Sequence, residues 1–352
     1  MLTLRPLLMI IIITHHATSE SKLNPLRKKD LYTPTITVSY THSPEEFYST
    51  TDSLFELYPL FHTYNPIYFK QHLLPKGPIK PRYNTEQSFS GTTLSKLVNE
   101  LLLDVLKNKN KFKHFTILKD QNFNYDTHVG ALILKLNNHP FVVKLFIESP
   151  KSWICPHQKG IESWCHHVIG GGVSRHLCGF TRIKNREWVY DQVQKNPHYK
   201  DIVDLPRKWF WTPHQPTYLQ LTGSNIGKHT TIVKEIPAIY AIIEDAIEIE
   251  RPFSMRKYKD RKTALDLANY LNMRIDAHIN NFVYEKTTGK IILIDTELFT
   301  VLVGLKKPML ATGFASYYAH LIKKAFLSFF FSSKEDRRKR QETLEPPCGL
   351  LD

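Results

Sequence analysis

The sequence predicts an α+β chain with two lobes, a small β-rich lobe followed by a minimal helical lobe. Strand-like runs come first along the chain, and helix-like runs with one late hairpin come afterwards. A length of 352 residues, of which 42% are hydrophobic and 23% charged, suffices to bury one two-lobed core or two modest domains. We expect an N-terminal lobe over residues 111–215 and a C-terminal lobe over residues 216–330.

The N-terminal residues have the order of segments found in secretory signal peptides. Arg5 precedes an apolar run, Leu7–Ile13, and small polar residues follow around Ala17 and Ser19. The run is too short to span a bilayer, which takes about 20 apolar residues. An apolar N-terminal element that packs on the domain is the alternative. We expect a signal peptide over residues 1–19, and therefore a protein that is secreted or resides in the secretory pathway or periplasm, with no transmembrane anchor after cleavage.

Residues 20–110 are predicted to form a leader, our term for the segment between the signal peptide and the first lobe. Up to Ser90 the leader is rich in Pro, Tyr, Thr and His and shows little periodicity, which is typical of extended chain. Its remainder, TTLSKLVNELLLDVLKN, predicts one amphipathic helix. The apolar positions of that helix share one face: Leu94, Leu97, Val98, Leu101, Leu102 and Val105. At the other end of the chain, residues 331–352 form a charged tail.

The first lobe is predicted to consist mainly of strands. Three strand-like runs open it: FTILK, GALILKLN and PFVVKLFIE. The turn residues NNHP separate the last two runs and predict a hairpin. Further on, FTRI and EWVY are candidates for short strands, LPRKWFWTPHQP for a connector and TYLQLTG for another strand.

The second lobe is predicted to be mainly helical. Pro237 begins a predicted helix through AIYAIIEDAIEIE, and KTALDLANYLN predicts a second helix. NFVYE and KIILID then predict two strands joined by the turn KTTGK. A helical, aromatic region continues to Phe331.

Four cysteines permit two disulfides in an exported protein and require none. Three of them lie in a segment that is also rich in histidine: Cys155, Cys165, His166, His167, His176 and Cys178. Thiolate and imidazole groups are zinc ligands, but the segment has no Cys-x2-Cys pair. A disulfide, a metal site and ordinary thiols are all open for these cysteines.

The net charge of +14 favours an anionic partner such as a nucleotide, nucleic acid, phospholipid or acidic protein. A contribution to solubility alone is an equally good interpretation of the same charge. Trp209 and Trp211 offer stacking groups, but no motif of basic and aromatic strand residues accompanies them. The sequence therefore gives no strong nucleic-acid signal.

The segment ALDLANYLNMRIDAHINNFVYEKTTGKIILIDTELF carries the clearest chemistry. Asp276 lies in a short loop after an amphipathic helix, and Asn281 stands at the start of a strand. The hairpin returns the chain, so that Asp295, at the end of KIILID, is expected beside Asn281. Carboxylate and amide oxygens are hard ligands of the kind that Mg²⁺ prefers. Asp276 would then be free to reach a substrate hydroxyl.

This run resembles the catalytic loop, hairpin and metal-binding Asp of the protein-kinase-like superfamily, in the same order and at similar separations. DAHINN followed by IDTE is similar to the Asp-x-His-x-x-Asn and Asp-x-Glu patterns of aminoglycoside and choline kinases. The resemblance implies a two-lobed kinase-like fold that uses ATP and Mg²⁺, with Asp276 as catalytic base or hydroxyl positioner. It also implies that Asn281 and Asp295 ligate magnesium, and that Glu297 assists the metal or orders the next loop.

A second anchor of the resemblance lies upstream. Lys144 stands inside the apolar run PFVVKLFIE, where an unpaired ammonium group would be costly, and it resembles the strand lysine that holds the nucleotide phosphates in kinases. The resemblance implies a glutamate partner for this lysine, for which Glu162 has a suitable separation and Glu148 or Glu187 could substitute. A lysine that faces water from an edge strand is the alternative.

Departures from the kinase pattern leave two functions open. The loop DQNFNYDTHVG has one glycine, Arg274 and Ile275 stand before the catalytic Asp, and little chain follows Asp295. These features favour an exported, catalytically inactive kinase-like binding module. The complete set of Asp276, Asn281 and Asp295 favours an ATP-dependent phosphotransferase, whose acceptor hydroxyl belongs to an unknown protein or small molecule.

Overall fold

The structure, a computed structural model, describes residues 35–40, 46–50, 64–83, 86–148, 179–224, 231–298, 310–319 and 323. Helices and strands both contribute, so the predicted α+β class is confirmed. The helices are α1 (Pro66–Gln71), α2 (Gly91–Leu106), α3 (Thr181–Lys195) and α4 (Tyr258–Tyr270). The strands before α3 are β1 (Thr35–Tyr40), β2 (Glu46–Thr50), β3 (Pro78–Ile79), β4 (Phe89–Ser90), β5 (Phe115–Asn124), β6 (Val129–Leu136) and β7 (Phe141–Ile147). Those after it are β8 (Val203–Asp204), β9 (Lys208–Trp211), β10 (Tyr218–Ser224), β11 (Thr231–Pro237), β12 (Ile239–Asp245), β13 (Ile249–Pro252), β14 (Phe282–Glu285) and β15 (Ile291–Leu293).

A five-stranded antiparallel sheet in the order β5-β6-β7-β12-β9 carries the first part of the site. The three strands predicted to open the first lobe are its β5, β6 and β7, and the predicted hairpin joins the last two. The loop expected between β5 and β6 is shorter than predicted, because both strands extend into it. Gly130 has a φ of 127°, and a Cβ there would lie 2.0 Å from the carbonyl oxygen of Asn122. That close approach explains the glycine.

Apolar side chains cover both faces of this sheet. On one face, Val143 and Leu145 pack with α2 in one hydrophobic cluster. On the other, Phe146 and Ile242 join a second cluster that includes residues of α3, α4 and the late hairpin. Because successive strand residues point to opposite faces, central strands of this sheet need apolar residues at nearly every position.

The amphipathic helix predicted in the leader is confirmed as α2. The side-chain oxygen of Ser90 accepts a hydrogen bond from the backbone N–H of Thr93 and so caps the helix. Five of the six predicted face positions are buried, namely Leu94, Val98, Leu101, Leu102 and Val105. Helix α2 therefore forms one layer of the structure, packed on the sheet.

The second helix predicted for the C-terminal lobe is confirmed as α4, and the way it ends positions the next loop. The N–H groups of Asn272 and Met273 donate to the carbonyls of Asn269 and Ala268, 3.0 and 2.7 Å away. Asn272 has a φ of 52°, which is the left-handed conformation that closes a Schellman motif. This reversal ends the helix and leads the chain directly into the Asp276 loop.

The late hairpin is also confirmed. Strands β14 and β15 pair antiparallel in a four-stranded sheet of order β13-β14-β15-β8. Strand β8 pairs parallel with β15 and thereby links the hairpin to the chain just after α3. The hairpin turn therefore returns the end of β15 to the start of β14, as the sequence predicted.

Part of the leader is fixed to this hairpin. The guanidinium of Arg82 donates to Glu285 and Asp204 at 2.9 and 2.8 Å, and the Tyr83 hydroxyl donates to Glu285 at 2.6 Å. The side chain of Glu285 is fully buried, and Thr288 also donates to it. Burial raises the pKa of Glu285, but these donors more than offset it, so that the pKa lies below its ordinary value. Other parts of the leader form β1 and β2, in a sheet of order β11-β10-β1-β2.

Four predicted elements are wrong. EWVY and the last three residues of FTRI, both predicted as strands, lie within α3, which Phe180 precedes as the N-cap residue. The inward face of α3 includes the polar Asn185, which hides the helical apolar pattern. The helix predicted from Pro237 is strand β12, whose two buried faces produce an apolar run that fits either period. The predicted connector LPRKWFWTPHQP contains strand β9, in which Trp211 is 3% exposed and donates to Ser95.

Several predictions fall outside the described residues: the signal peptide, the cysteine and histidine segment, Glu162 and the charged tail. Of the predicted C-terminal helical region, residues 314–319 are described and are helical. Within the described ranges, no helix has both the length and the apolar character that crossing a membrane requires.

Candidate functional site

Three adjacent strands place charged side chains on one face of the five-stranded sheet. Lys144 lies on β7, Glu244 on β12 and Lys208 on β9. In the register of the sheet, Glu244 is directly opposite Lys208, and Lys144 is opposite Ile242, two residues from Glu244 on the same face. Direct and diagonal neighbours across strands are within reach of long side chains. The strand pairing therefore brings two lysines to one carboxylate.

Glu244 bonds to both lysines. Its carboxylate oxygens lie 3.2 Å from Lys144 Nζ and 2.5 Å from Lys208 Nζ. Burial raises the pKa of Glu244, but the two ammonium groups outweigh it and hold the pKa below its ordinary value. Burial lowers the pKa of Lys208 to about 8, although Glu244 opposes the shift. Two lysines on neighbouring strands therefore share one buried carboxylate.

Ile294, the residue directly after β15, contacts these lysines. The carbonyl oxygen of Ile294 accepts hydrogen bonds from Lys144 Nζ at 3.4 Å and Lys208 Nζ at 3.0 Å. Ile294 also donates its N–H to the carbonyl of Asn281, 2.9 Å away. The residue that follows, Asp295, therefore lies between the sheet, the turn that ends at Asn281 just before β14, and the N-terminal turn of α3.

Asp295 is an ionised carboxylate among cations. Arg182 Nε donates to its Oδ1 at 3.0 Å, and the N–H of Glu297 donates to the same oxygen at 3.1 Å. Burial raises the pKa of Asp295, but Arg182, Lys144 and Lys208 together hold it far below its ordinary range. The Asp295 side chain is 28% exposed, so this charge is accessible from solvent.

Asp276 lies in a loop closed by its own hydrogen bonds. Its Oδ1 accepts from the N–H of His278 at 3.0 Å and from the hydroxyl of Tyr317 at 2.5 Å. The side-chain amide of Asn281 donates to the Asp276 carbonyl at 3.2 Å. Burial raises the pKa of Asp276, the Asp295 charge adds to that rise, and the two donors offset only part of it. A carboxyl group with a raised pKa suits proton transfer at neutral pH.

Helix α3 ties the two halves of the site together. The Asn185 side chain is fully buried, and its Nδ2 donates to the carbonyls of Arg274 and Thr296, each 3.0 Å away. The hydroxyl of Thr296 donates in turn to the carbonyl of Arg182 at 2.7 Å. The loops that carry Asp276 and Asp295 are therefore fixed to the same helix.

The structure brings together five residues that the sequence singled out: Lys144, Asp276, Asn281, Asp295 and Glu297. Glu244 pairs with Lys144, and the predicted partner Glu162 lies outside the described residues, so its pairing stays a prediction. Glu187, offered as a substitute, instead accepts from Tyr68 and bonds His72.

Sequence reasoning missed Glu244, Lys208 and Arg182. The sequence pattern places Glu244 on a helix, where an acid next to solvent needs no explanation. The same pattern places Lys208 in a connector. The available signal was the alternation of KWFW, which puts a lysine on the same face as a buried phenylalanine, as in the run around Lys144. Arg182 carried no signal, because its role depends on where α3 begins.

The side-chain oxygens of Asp295, Glu297 and Asn281 are of the chemical type that Mg²⁺ prefers. Asp295 and Glu297 supply carboxylates, and Asn281 supplies a side-chain amide. Within the described part of the chain, no group of three or more His, Cys, Asp or Glu side chains could hold a metal ion. Mg²⁺ is usually held by one or two carboxylates, with waters and substrate phosphates completing its shell, so the small set is compatible with it.

The fold and these contacts define a partly buried cluster of cations and carboxylates beside a closed Asp loop. Comparison of the chain with protein-family models, with curated proteins and with solved structures found no match in any of the three.

Proposed function

We propose that this chain is an ATP-dependent phosphotransferase with a two-lobed, protein-kinase-like fold and a hydroxyl acceptor. The observation that carries the proposal is the position of Lys144. Its ammonium group bonds to Glu244 on the neighbouring strand and to the carbonyl that precedes Asp295, at 3.2 and 3.4 Å. A cation fixed beside an ionised Asp is the arrangement that phosphoryl transfer uses to position and neutralise phosphates.

Lys144 would contact the phosphates of the nucleotide. Its side chain is 8% exposed, and Glu244 and Lys208 behind it fix where its ammonium group lies. In this scheme Glu244 takes the part that the sequence resemblance implied for Glu162.

Asp295 and Asn281 would hold Mg²⁺, with Glu297 assisting. Because the pKa of Asp295 lies far below its ordinary range, this ligand is fully ionised at neutral pH. When bound, the ion would neutralise charge on the β- and γ-phosphate oxygens. The chain's own contribution is to keep the ligand oxygens at the end of β15.

Asp276 would align the acceptor hydroxyl and accept its proton. The hydrogen bonds from Tyr317 and from the backbone of His278 fix its carboxylate, and the raised pKa brings it nearer to neutral pH. The acceptor is the hydroxyl of a protein or of a small molecule.

We propose export as well, from the signal-like order of residues 1–19. The mature chain should then begin between about Thr18 and Lys22. N-terminal sequencing of protein from its native source tests this, and an intact Met1 would contradict it.

A second candidate function is an exported, catalytically inactive kinase-like binding module. One observation favours it: Arg182 bonds to both Asp295 and Glu297, the two carboxylates of the proposed metal site. A protein that holds these acids in a permanent ion pair would have no need of a metal. Turnover by the unsubstituted protein separates the two candidates.

The test begins with the melting temperature of the unsubstituted protein with ATP, with and without Mg²⁺. A ligand that binds only the native state raises this temperature, and we expect the rise to require Mg²⁺. Titration calorimetry and an ATP-hydrolysis assay with Mg²⁺ or Mn²⁺ complete the measurement. Absence of both binding and hydrolysis would overturn the enzyme proposal.

Three variants then assign the roles. Asp295→Ala should abolish Mg²⁺-dependent ATP binding, whereas Asp276→Asn should leave binding nearly intact and lower turnover by roughly a hundredfold or more. Lys144→Met should weaken both. The matched controls are the exposed Asp201→Ala and Lys135→Met, which should change neither quantity. Equal effects of Asp276→Asn on binding and turnover would contradict the separation of roles.

A further inference from the structure

Arg182, on the first turn of α3, bridges two carboxylates with one guanidinium group. Its Nε donates to Asp295 Oδ1 at 3.0 Å, and its Nη2 lies 3.2 Å from Glu297 Oε2. The side chain of Arg182 is 10% exposed. Arginine has a planar fork of donors, so it can serve two carboxylates in a fixed geometry.

The backbone around Arg182 fixes this bridge. The Arg182 carbonyl accepts from the Thr296 hydroxyl at 2.7 Å, and the hydroxyl of Thr181 accepts from the N–H of Leu298 at 3.2 Å. The guanidinium carbon also lies 5.5 Å from the centre of the Phe146 ring. The first turn of α3 and the segment after β15 are therefore joined on both sides of the bridge, and the arginine is not a mobile surface side chain.

Among the described residues, the ion pairs of the cluster join equal numbers of cations and carboxylates. The cations are Lys144, Lys208 and Arg182, and the carboxylates are Glu244, Asp295 and Glu297. Adding a divalent cation at Asp295 and Glu297 with Arg182 in place would leave two excess positive charges in a partly buried site, which is unfavourable. Arg182 and a divalent cation thus require the same two carboxylates.

We propose that Arg182 sets the metal affinity of the site by competing with the divalent cation for Asp295 and Glu297. Metal binding requires the guanidinium to leave at least one of these carboxylates. The inference rests on the proposed metal site. In one state of that site Asp295 and Glu297 bind the cation, and in the other state Arg182 neutralises them. A cation of the size and charge of Mg²⁺ or Mn²⁺ is the ligand concerned.

The experiment measures binding of Mn²⁺ alone by electron paramagnetic resonance, without nucleotide. Arg182→Gln removes the competitor and leaves the carboxylates in excess, so we expect Mn²⁺ to bind about tenfold more tightly or better. Arg186→Gln is the matched control, because Arg186 lies one turn along α3 and donates to the Pro206 carbonyl, away from the metal ligands. The Mn²⁺ affinity of Arg186→Gln should equal that of the unsubstituted protein.

Unchanged or weaker Mn²⁺ binding by a folded Arg182→Gln variant overturns the inference. Circular dichroism and the melting temperature without metal establish whether that variant is folded. If it is not, Arg182→Lys replaces it, because a lysine keeps the charge but cannot bridge two carboxylates with a planar fork. Arg182→Lys should then bind Mn²⁺ several-fold more tightly than the unsubstituted protein, and equal affinity overturns the inference.

The outcomes also separate this inference from the phosphotransferase proposal. Tighter Mn²⁺ binding by Arg182→Gln, with no ATP turnover in any variant, supports the competition and overturns the enzyme. Turnover by the unsubstituted protein, with Mn²⁺ affinity unaffected by Arg182→Gln, supports the enzyme and overturns the competition.

Discussion

Glu244→Gln is the substitution that most directly tests how the charge cluster is held together. Glu244 is 5% exposed and bonds to both Lys144 and Lys208. The amide of glutamine has nearly the same shape but no charge. Two buried ammonium groups would therefore lose their shared carboxylate, while packing around them stays the same.

The expected loss in the free energy of unfolding is the sum of one contribution from each lysine. The pKa of Lys208 is about 8, so holding this side chain neutral at pH 7 costs about 1.4 kcal/mol, and that bounds its share of the loss. Lys144 loses its ion pair with Glu244, 3.2 Å away, and an interaction with a charged group of this kind contributes about 1.5–3 kcal/mol. We expect the free energy of unfolding to fall by about 3–4 kcal/mol at pH 7. At pH 9 Lys208 is mostly neutral in the unsubstituted protein, so its share nearly vanishes and the loss should be about 1.5–3 kcal/mol.

Urea denaturation at both pH values measures these losses. The control is Glu250→Gln, an exposed glutamate on β13, for which the change should stay within about 0.5 kcal/mol. Adding Lys208→Met to Glu244→Gln should recover part of the loss, because the double variant leaves one buried ammonium group without a carboxylate instead of two. If Glu244→Gln and Glu250→Gln have the same stability, the three charges do not form a shared buried network and the reasoning fails.

Three further outcomes are expected. Arg82→Met should lower the free energy of unfolding by about 3 kcal/mol at pH 7 and by less at pH 4. The pKa of Glu285 is held below its ordinary value, so the stability that its charge contributes is lost as the pH falls. Urea denaturation at the two pH values measures both losses. Asn185→Ala should cost about 2–4 kcal/mol by leaving two buried carbonyls without their donor, measured in the same way. Tyr317→Phe removes a hydrogen bond that lowers the pKa of Asp276, so that pKa should rise further in a carboxyl titration followed by nuclear magnetic resonance.

One result for each variant would contradict its prediction. A loss of stability for Arg82→Met that is equal at both pH values would mean that Glu285 does not depend on Arg82 for its charge. Asn185→Ala with a loss below about 0.5 kcal/mol would mean that water replaces the amide. An Asp276 pKa that falls in Tyr317→Phe would contradict the direction of the hydrogen bond's effect.

Local patterns predicted the parts of the fold that have one buried face or a clear turn. Helix α2 has a single apolar stripe and an N-terminal serine cap, and a turn of polar residues joins strands β6 and β7 into a hairpin. The Asp276, Asn281 and Asp295 set was predictable because one hairpin brings nearby parts of the chain together, so local order is enough to place the residues.

The sequence failed where tertiary contacts decide the structure. Strand β12 is covered on both faces, so its apolar run carries no period that distinguishes strand from helix. Helix α3 buries Arg182 and Asn185, and a search for apolar periodicity does not detect a buried face that includes polar residues. Pairing between distant strands made Glu244 the partner of Lys144, and no local rule specifies that pairing.

The bond between Lys144 and the Ile294 carbonyl joins residues 150 positions apart, and that separation constrains the order in which the protein can be made. A nascent chain released as far as Asp245 already holds both lysines and Glu244, with β7, β9 and β12 ready to pair. It lacks the β15 end and Asp295, which supply the remaining acceptor and the balancing charge. The cluster can therefore be completed only after Asp295 has been synthesised, and the half-built sheet carries an excess positive charge until then.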